Sequence, residues 1–459
     1  MKKLNKNYYW VIFSVIIIIF FLIELKALPY LKPGDENVYL YMGKLVSEGK
    51  IPYKDFFLAH PPLQILIIAA VFKIVGFNIF ISNLMPLLFT LLSAFFLFKI
   101  VKEKFNEIKA LAAVALFLFS FSTLSLATDF VGINLTAMFA VIGFYCLFNK
   151  NNYIKSGIFF GLASITRLYS LVPIFVILIV LFLRNKKGFY KFLLSFSSIF
   201  VTTNLILLLL FGPGYFVPVY SYHLMKPFSG EPKLFLLFSF FKINWFLFLF
   251  PISFIFARNK KKLEMIWPIA VAYFIFLFTL KKVFEFYLLL LFPFLAILAV
   301  YGITDALERI KSKNIRITII AVLSLVVVWN ITADSLFLIN HSFMEFESGK
   351  DMAAVIKGYA PADAVLFGDS SITPLMSFMS GRKIAFDFAD SNEMRFEAAV
   401  ADIKKTIEML KKENVVVITQ PAAIGDLPLL QYHLNNNCKH LKTFWDRYEG
   451  EFSVFYCPR

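Results

Sequence analysis

Two adjacent carboxylates, Asp35 and Glu36, follow a Lys-Pro-Gly turn, and the polar stretch they open closes on His60-Pro61-Pro62. Asp129, Arg167, His223, Lys226, Lys281 and Lys282 stand further along, at the edges of long apolar runs or between them. These types suit a group transfer. A positioned carboxylate takes a proton from a hydroxyl, and guanidinium or ammonium groups neutralise charge that develops on a departing oxyanion. Adjacent carboxylates at a membrane edge are costly unless they face water, a partner or a substrate.

The elements that must hold these residues are membrane helices. Of 459 residues, 59% are hydrophobic and 58 are Phe, more apolar surface than a soluble globular protein buries. Apolar runs of about 18 to 22 residues with few charges predict transmembrane helices. The net charge of +16 excludes a nucleic-acid face, because its Lys and Arg fall in short clusters between the apolar runs. Three cysteines are too few for a disulfide framework.

The basic clusters read as cytoplasmic: Lys2-Lys3-Lys6, Lys99 to Lys109, Lys150 to Lys155, Arg184 to Lys191, Arg258 to Lys262 and Arg309 to Arg316. The apolar run to about Phe21 carries no small-residue cleavage site and is read as a retained first helix with its N-terminus in the cytoplasm. Ala110 to Phe148 fits two spans with Asp129 at the midpoint, Ile154 to Leu183 two short helices around Arg167, and Leu263 to Tyr301 two spans around Lys281, Lys282 and Glu285. About eleven spans follow in all, the last near Ile315 to Ile331. Asp35, Glu36, Asp129, Arg167, Lys281 and Lys282 then arrive on the non-cytoplasmic side. So do His223 and Lys226, in an outside loop broken by Gly and Pro after Phe211.

Within the first outer loop, Val38, Tyr41, Met42, Leu45 and Val46 share one helical face, which predicts an amphipathic helix lying in the interface. A second helix over about Leu63 to Val75 starts after Pro61-Pro62, and a span over about Ile79 to Phe98 follows. From about His341 the apolar runs shorten. The segments AVLFGD, KIAFDF, VVVIT and FSVFYC predict strands, and SGKDMAAVIKGY and Glu393 to Lys412 predict helices. The expected architecture is an α-helical polytopic membrane protein: a transmembrane domain over 1–338 with its first outer loop at 29–78, and an extracytoplasmic α/β domain over 339–459. Gly368-Asp369-Ser370 lacks a nucleotide-binding glycine pattern. Cys438 and Cys457 suit a disulfide in an oxidising exterior, and Cys146 a membrane-buried thiol. No His/Cys cluster has metal spacing, so neither metal nor cofactor is assigned.

The stretch from Asp35 to Leu63 resembles the GT-C glycosyltransferases, polytopic enzymes that take a sugar from a polyprenyl phosphate carrier. It looks most like the branch with the protein O-mannosyltransferases and the lipid A aminoarabinose transferases. The resemblance implies Asp35 as general base with Glu36 beside it, and Asp129 as the Asp that opens a later span. GLASITR resembles the family stretch whose final residue, here Arg167, faces the donor phosphate. KKVFEFYLLLLFPFLAILA resembles the basic turn through which Lys281 or Lys282 reaches phosphate. His60 stands where the aminoarabinose branch has Lys, a departure that bears on phosphate binding and sugar preference. His223 and Lys226 are further polar candidates for donor phosphate or acceptor.

Each residue has a plainer reading. Asp35 and Asp129 cap helices, and Arg167, Lys281 and Lys282 are snorkelling interfacial cations. Two functions compete. One is a plasma-membrane glycosyltransferase, of the inverting kind the resemblance implies, carrying a hexosyl or pentosyl group from a polyprenyl or dolichyl phosphate to a protein, lipid or glycan. The other is a non-enzymatic flippase or transporter of lipid-linked sugar, which requires polar groups near mid-membrane in broken helices. The mid-span positions are mostly Phe, Leu and Ile, which favours the enzyme.

Overall fold

The computed structural model describes residues 6–227, 232–421, 423–446 and 450–459. Lys2, Lys3 and part of the outer loop after Lys226 lie outside the described residues. The chain divides into two compact units. The first comprises Met1–Pro29, Asn83–Leu205 and Ser229–Phe343, and the second Tyr30–Ser82, Ile206–Phe228 and Met344–Arg459.

The first unit is helical. Ile79–Lys104, Lys186–Phe211 and Lys313–His341 are long and apolar enough to cross a membrane, and Lys233–Ile243 with Trp245–Phe256 forms a fourth candidate bent by 102°. The other apolar stretches are divided into shorter helices, among them Lys6–Glu24, Glu107–Leu118, Ile133–Phe148, Tyr153–Ser164, Leu171–Arg184, Ile266–Thr279 and Phe292–Glu308. The two helices expected on either side of Arg167, and on either side of Lys281-Lys282, are therefore present, though helix length alone does not count off eleven spans. The 102° bend falls at Asn244, whose amide donates to Ser122 Oγ at 2.6 Å while its carbonyl accepts from the Ser122 N–H at 3.0 Å. Both groups are fully buried, so this exchange satisfies polar atoms that lipid would leave bare. Cys146 is buried in Ile133–Phe148.

In the second unit, Asp35–Ser47 packs against Leu63–Val75. The first helix begins at Asp35, and Gly34, not Asp35, holds the cap position. Val38, Tyr41, Met42 and Leu45 are buried as their periodicity requires. Protein covers much of this face: Ile68 lies against Gly43, Tyr41 Oη accepts the Ile384 N–H at 3.0 Å, and the Gly34 N–H donates to Ser371 O at 3.0 Å. Burial pushes the Tyr41 hydroxyl pKa up to about 12. Phe77 stacks on Phe378 at 4.0 Å, and Lys50 pairs with Asp387 at 2.8 Å.

The C-terminal residues form one four-stranded sheet: β1 (Val365–Gly368), β2 (Val415–Thr419), β3 (Lys439–Asp446) and β4 (Gly450–Cys457), ordered β1-β2-β4-β3. β1 and β2 are parallel and the other pairs antiparallel. β2 is buried along its whole length, which fits a continuous Val/Ile run in a central strand. KIAFDF is not a strand. Phe386 and Asp387 both take positive φ, 55° and 53°, and the segment keeps only a single bridge from Ile384 to Leu366. Glu393 to Lys412 is two short helices, Glu393–Glu397 and Ile403–Leu410, because Ala399 turns left-handed and Asp402 caps the second. β3 is mostly exposed and was not predicted. Cys438 and Cys457 form the expected disulfide, with His433 beside it.

A Cβ on Gly43 would stand 2.3 Å from Ile68 Cγ2, and Ile68 is fully buried. Gly43→Ala should therefore cost about 1–3 kcal/mol through overpacking. The check is thermal unfolding in detergent, with an unchanged midpoint counting against this close helix approach.

Candidate active site

In the second unit His60 and His223 meet ring to ring, and Asp35, Glu36 and Lys226 lie in the same unit. Asp35 is exposed in the first turn of its helix, where the helix dipole favours an anion, while Glu36 and Asn37 behind it are buried. The Asn37 amide donates to Lys32 O at 2.7 Å and Gly34 O at 3.2 Å, fixing the turn that delivers Asp35. One helical turn on, Tyr39 lies on the Asp35 side, with its ring 5.9 Å from that of His60. His60 in turn sits 5.1 Å from His223, ring to ring. His223 Nε2 bonds the Ala59 carbonyl at 2.7 Å, and Tyr53 Oη donates to the His60 carbonyl at 2.7 Å. The backbone of Ala59-His60 is thus clamped from both sides. Lys226 lies over the Tyr222 ring at 4.8 Å, and burial raises the Tyr222 hydroxyl pKa.

The first unit gathers the rest. Arg167 lies in the turn between Tyr153–Ser164 and Leu171–Arg184 and is 2% exposed. Its Nε donates to the Val131 carbonyl at 3.1 Å, and its Nη2 donates to the same oxygen. A snorkelling arginine keeps its head in water; this one is enclosed by protein. Val131 is two residues past Asp129, and its N–H donates to the Asp129 carbonyl at 2.9 Å. Asp129 is half-buried in the loop before Ile133–Phe148, whose cap is Gly132 and not Asp129. On the other side of Arg167, Tyr169 Oη donates to Tyr287 Oη at 2.8 Å, and Tyr273 Oη donates to the Tyr287 carbonyl at 3.0 Å. Tyr287 follows the half-buried turn of Lys281 and Lys282. The three segments singled out for Asp129, Arg167 and Lys281-Lys282 are therefore tied to one another by side-chain hydrogen bonds.

Sequence reasoning missed Tyr39, Tyr53 and the tyrosine pair at Tyr169 and Tyr287. Tyr39 carried a usable signal, standing four residues after Asp35. Tyr287 stands within the quoted KKVFEFYLLLLFPFLAILA stretch, but its pairing with Tyr169 spans 118 residues and carries no local signal.

Residues 59–214 match the family described as dolichyl-phosphate-mannose-protein mannosyltransferase. The match takes in His60, Asp129 and Arg167. ArnT from Cupriavidus metallidurans, in its structure bound to undecaprenyl phosphate, is similar with a TM-score of 0.70 at 13% identity, over 99% of this chain and 98% of that one. The chain has a GT-C glycosyltransferase fold. The similarity to ArnT extends over both units, given that coverage. The apo ArnT structure gives a TM-score of 0.71 at 13% identity, covering 98% of each chain. The apo oligosaccharyltransferase of Archaeoglobus fulgidus gives 0.63 at 11% identity, covering 96% of this chain and 74% of that one. No curated protein matches the chain by sequence.

Arg167→Met keeps much of the stem but withdraws both donors from Val131. It should cost about 1.5–3 kcal/mol, the range for hydrogen bonds to a charged group. Thermal unfolding reads this directly; a wild-type midpoint would mean that Arg167 does not hold the Asp129 loop.

Proposed function

We propose that this chain transfers a sugar from a polyprenyl phosphate-linked donor to a hydroxyl acceptor on the non-cytoplasmic side of the plasma membrane. The observation that carries the reading is Asp35: an exposed carboxylate presented by a helix turn whose neighbouring side chains are buried, on the side of Tyr39, which meets His60. The name of the matched family and the undecaprenyl phosphate bound to ArnT support the donor class.

In the proposed reaction Asp35 takes the acceptor hydroxyl proton as that oxygen attacks the anomeric carbon. The bond from that carbon to the phosphate oxygen breaks, with inversion. Arg167 and Lys281 or Lys282 neutralise the charge left on the lipid phosphate. Glu36 and Asp129 support the base and the loop before Ile133–Phe148, while His60, His223 and Lys226 contact donor phosphate or acceptor.

Orientation follows the basic clusters: N-terminus cytoplasmic, C-terminal residues outside. Gln431 is exposed. A cysteine placed there should react with an impermeant maleimide in intact cells, and reaction only after lysis would reverse the orientation.

The decisive experiment is sugar transfer from synthetic polyprenyl phosphate donors, with the protein in nanodiscs. Asp35→Asn preserves size, and at an exposed first-turn position it gives up only about 0.3–1 kcal/mol of dipole interaction. It should remain folded and lose at least about 100-fold in turnover. Glu36→Gln should be the milder change; the opposite order would exchange the two roles. Full activity in folded Asp35→Asn protein would remove Asp35 as the base, and no transfer by the folded wild-type protein would favour the transporter reading.

A further inference from the structure

The second unit holds a cavity of about 390 Å³ that none of the assigned residues lines. Its walls are the 53–57 turn, the 213–218 segment and the 386–400 segment. Arg395 reaches it from a buried position, 5% exposed, with its guanidinium carbon 3.9 Å from the Phe57 ring centre and 4.1 Å from that of Phe388. Nη1 donates to the Asp390 carbonyl, and Nε has no hydrogen-bond partner among the described residues. A guanidinium has five donors, and the aromatic sandwich satisfies its faces without satisfying its edge.

Three carboxylates line the same cavity, each only partly engaged. Asp55 accepts the Ile51 N–H at 2.7 Å, Asp387 pairs with Lys50 at 2.8 Å, and Asp390 accepts the Asn392 N–H at 3.4 Å. Each of these contacts uses one carboxylate oxygen. Tyr53, Phe386 and Asp387 in the wall all take positive φ, at 67°, 55° and 53°. Non-glycine residues held there are strained and gather where side chains must be aimed.

The mixture of charges selects the ligand. An anion meets three carboxylates beside Arg395 and Lys54. A cation meets the guanidinium. A ring of adjacent hydroxyls donates to the carboxylates and accepts from the guanidinium edge, so it uses both sets without bringing a net charge. The volume falls in the range of small-molecule sites, about 300–1,000 Å³. We propose that this cavity is a glycan-binding subsite that holds a neutral sugar unit of the acceptor through its hydroxyls. The word acceptor rests on the transfer reading above; the binding itself does not.

The test uses the full chain in nanodiscs with no lipid-linked donor. Saturation-transfer NMR and calorimetry would be run with methyl α-mannoside, methyl β-N-acetylglucosaminide, maltose and chitobiose, with glucose 1-phosphate as the anionic probe and spermidine as the cationic one. At least one neutral sugar should bind saturably in the millimolar range. Asp390→Asn and Asp55→Asn, which keep side-chain shape, should each weaken it about 10-fold, as should Arg395→Lys if it melts like the wild type. The proposal is overturned if no neutral probe saturates, if glucose 1-phosphate or spermidine binds more tightly, or if neither Asn variant changes binding. Sugar binding that persists alongside full transfer by Asp35→Asn would leave the subsite standing and remove the base; lost binding alongside an inactive Asp35→Asn would do the reverse.

Discussion

A guanidinium buried in a chain this apolar must find its acceptors inside the protein, and Arg167 finds one in the Val131 carbonyl. The bond does more than offset the burial of a charge. It sets the path of the loop that carries Asp129, because the Val131 N–H closes back on the Asp129 carbonyl. Two residues on from Arg167, the Tyr169–Tyr287 hydrogen bond sets the segment that follows Lys281 and Lys282. One charged group and one pair of phenols therefore locate three segments that are far apart in sequence. Buried hydrogen bonds of this kind hold the segments they join because an unmet polar group inside the protein is costly.

In the second unit the same economy operates between the first outer loop and the C-terminal residues. The Asp35–Ser47 helix is apolar on one face, and an interfacial helix would turn that face to lipid. Here Tyr41 receives the Ile384 N–H, Gly34 is bonded to Ser371, and Phe77 stacks on Phe378. The C-terminal residues thus hold the turn that presents Asp35. That gives the C-terminal residues a positioning role: they fix the angle at which a short, exposed helix end offers its carboxylate.

Most of the helices were legible because apolar periodicity and proline punctuation are local signals. Leu63–Val75 after Pro61-Pro62, the paired helices around Arg167, and the buried run of β2 follow from composition alone. The failures are equally local in cause. KIAFDF alternates like a strand, but its Phe386 and Asp387 are drawn into left-handed backbone where Asp387 meets Lys50. β3 has too few buried positions to alternate clearly. The site residues were legible as types and positions, since Asp35 and Arg167 stand out against apolar runs. Their burial was not. Nothing near Arg167 in sequence announces Val131 as its acceptor, and nothing near Phe57 announces Arg395.

The broken helix at Asn244 bears on the choice between enzyme and carrier. Carriers break helices at mid-membrane so that freed peptide groups can bind the substrate and its coupling ion. Such a break must keep polar groups available to the cargo. At Asn244 both ends of the amide are engaged by the N–H and hydroxyl of Ser122, and the amide also bonds the Phe240 carbonyl at 3.0 Å. A bend of 102° is thus stabilised by closing its polar groups on the protein itself. Asp35 is an exposed carboxylate in the first turn of its helix. A break whose polar groups are closed on the protein itself does not offer them to a cargo, and that weighs toward the enzyme reading.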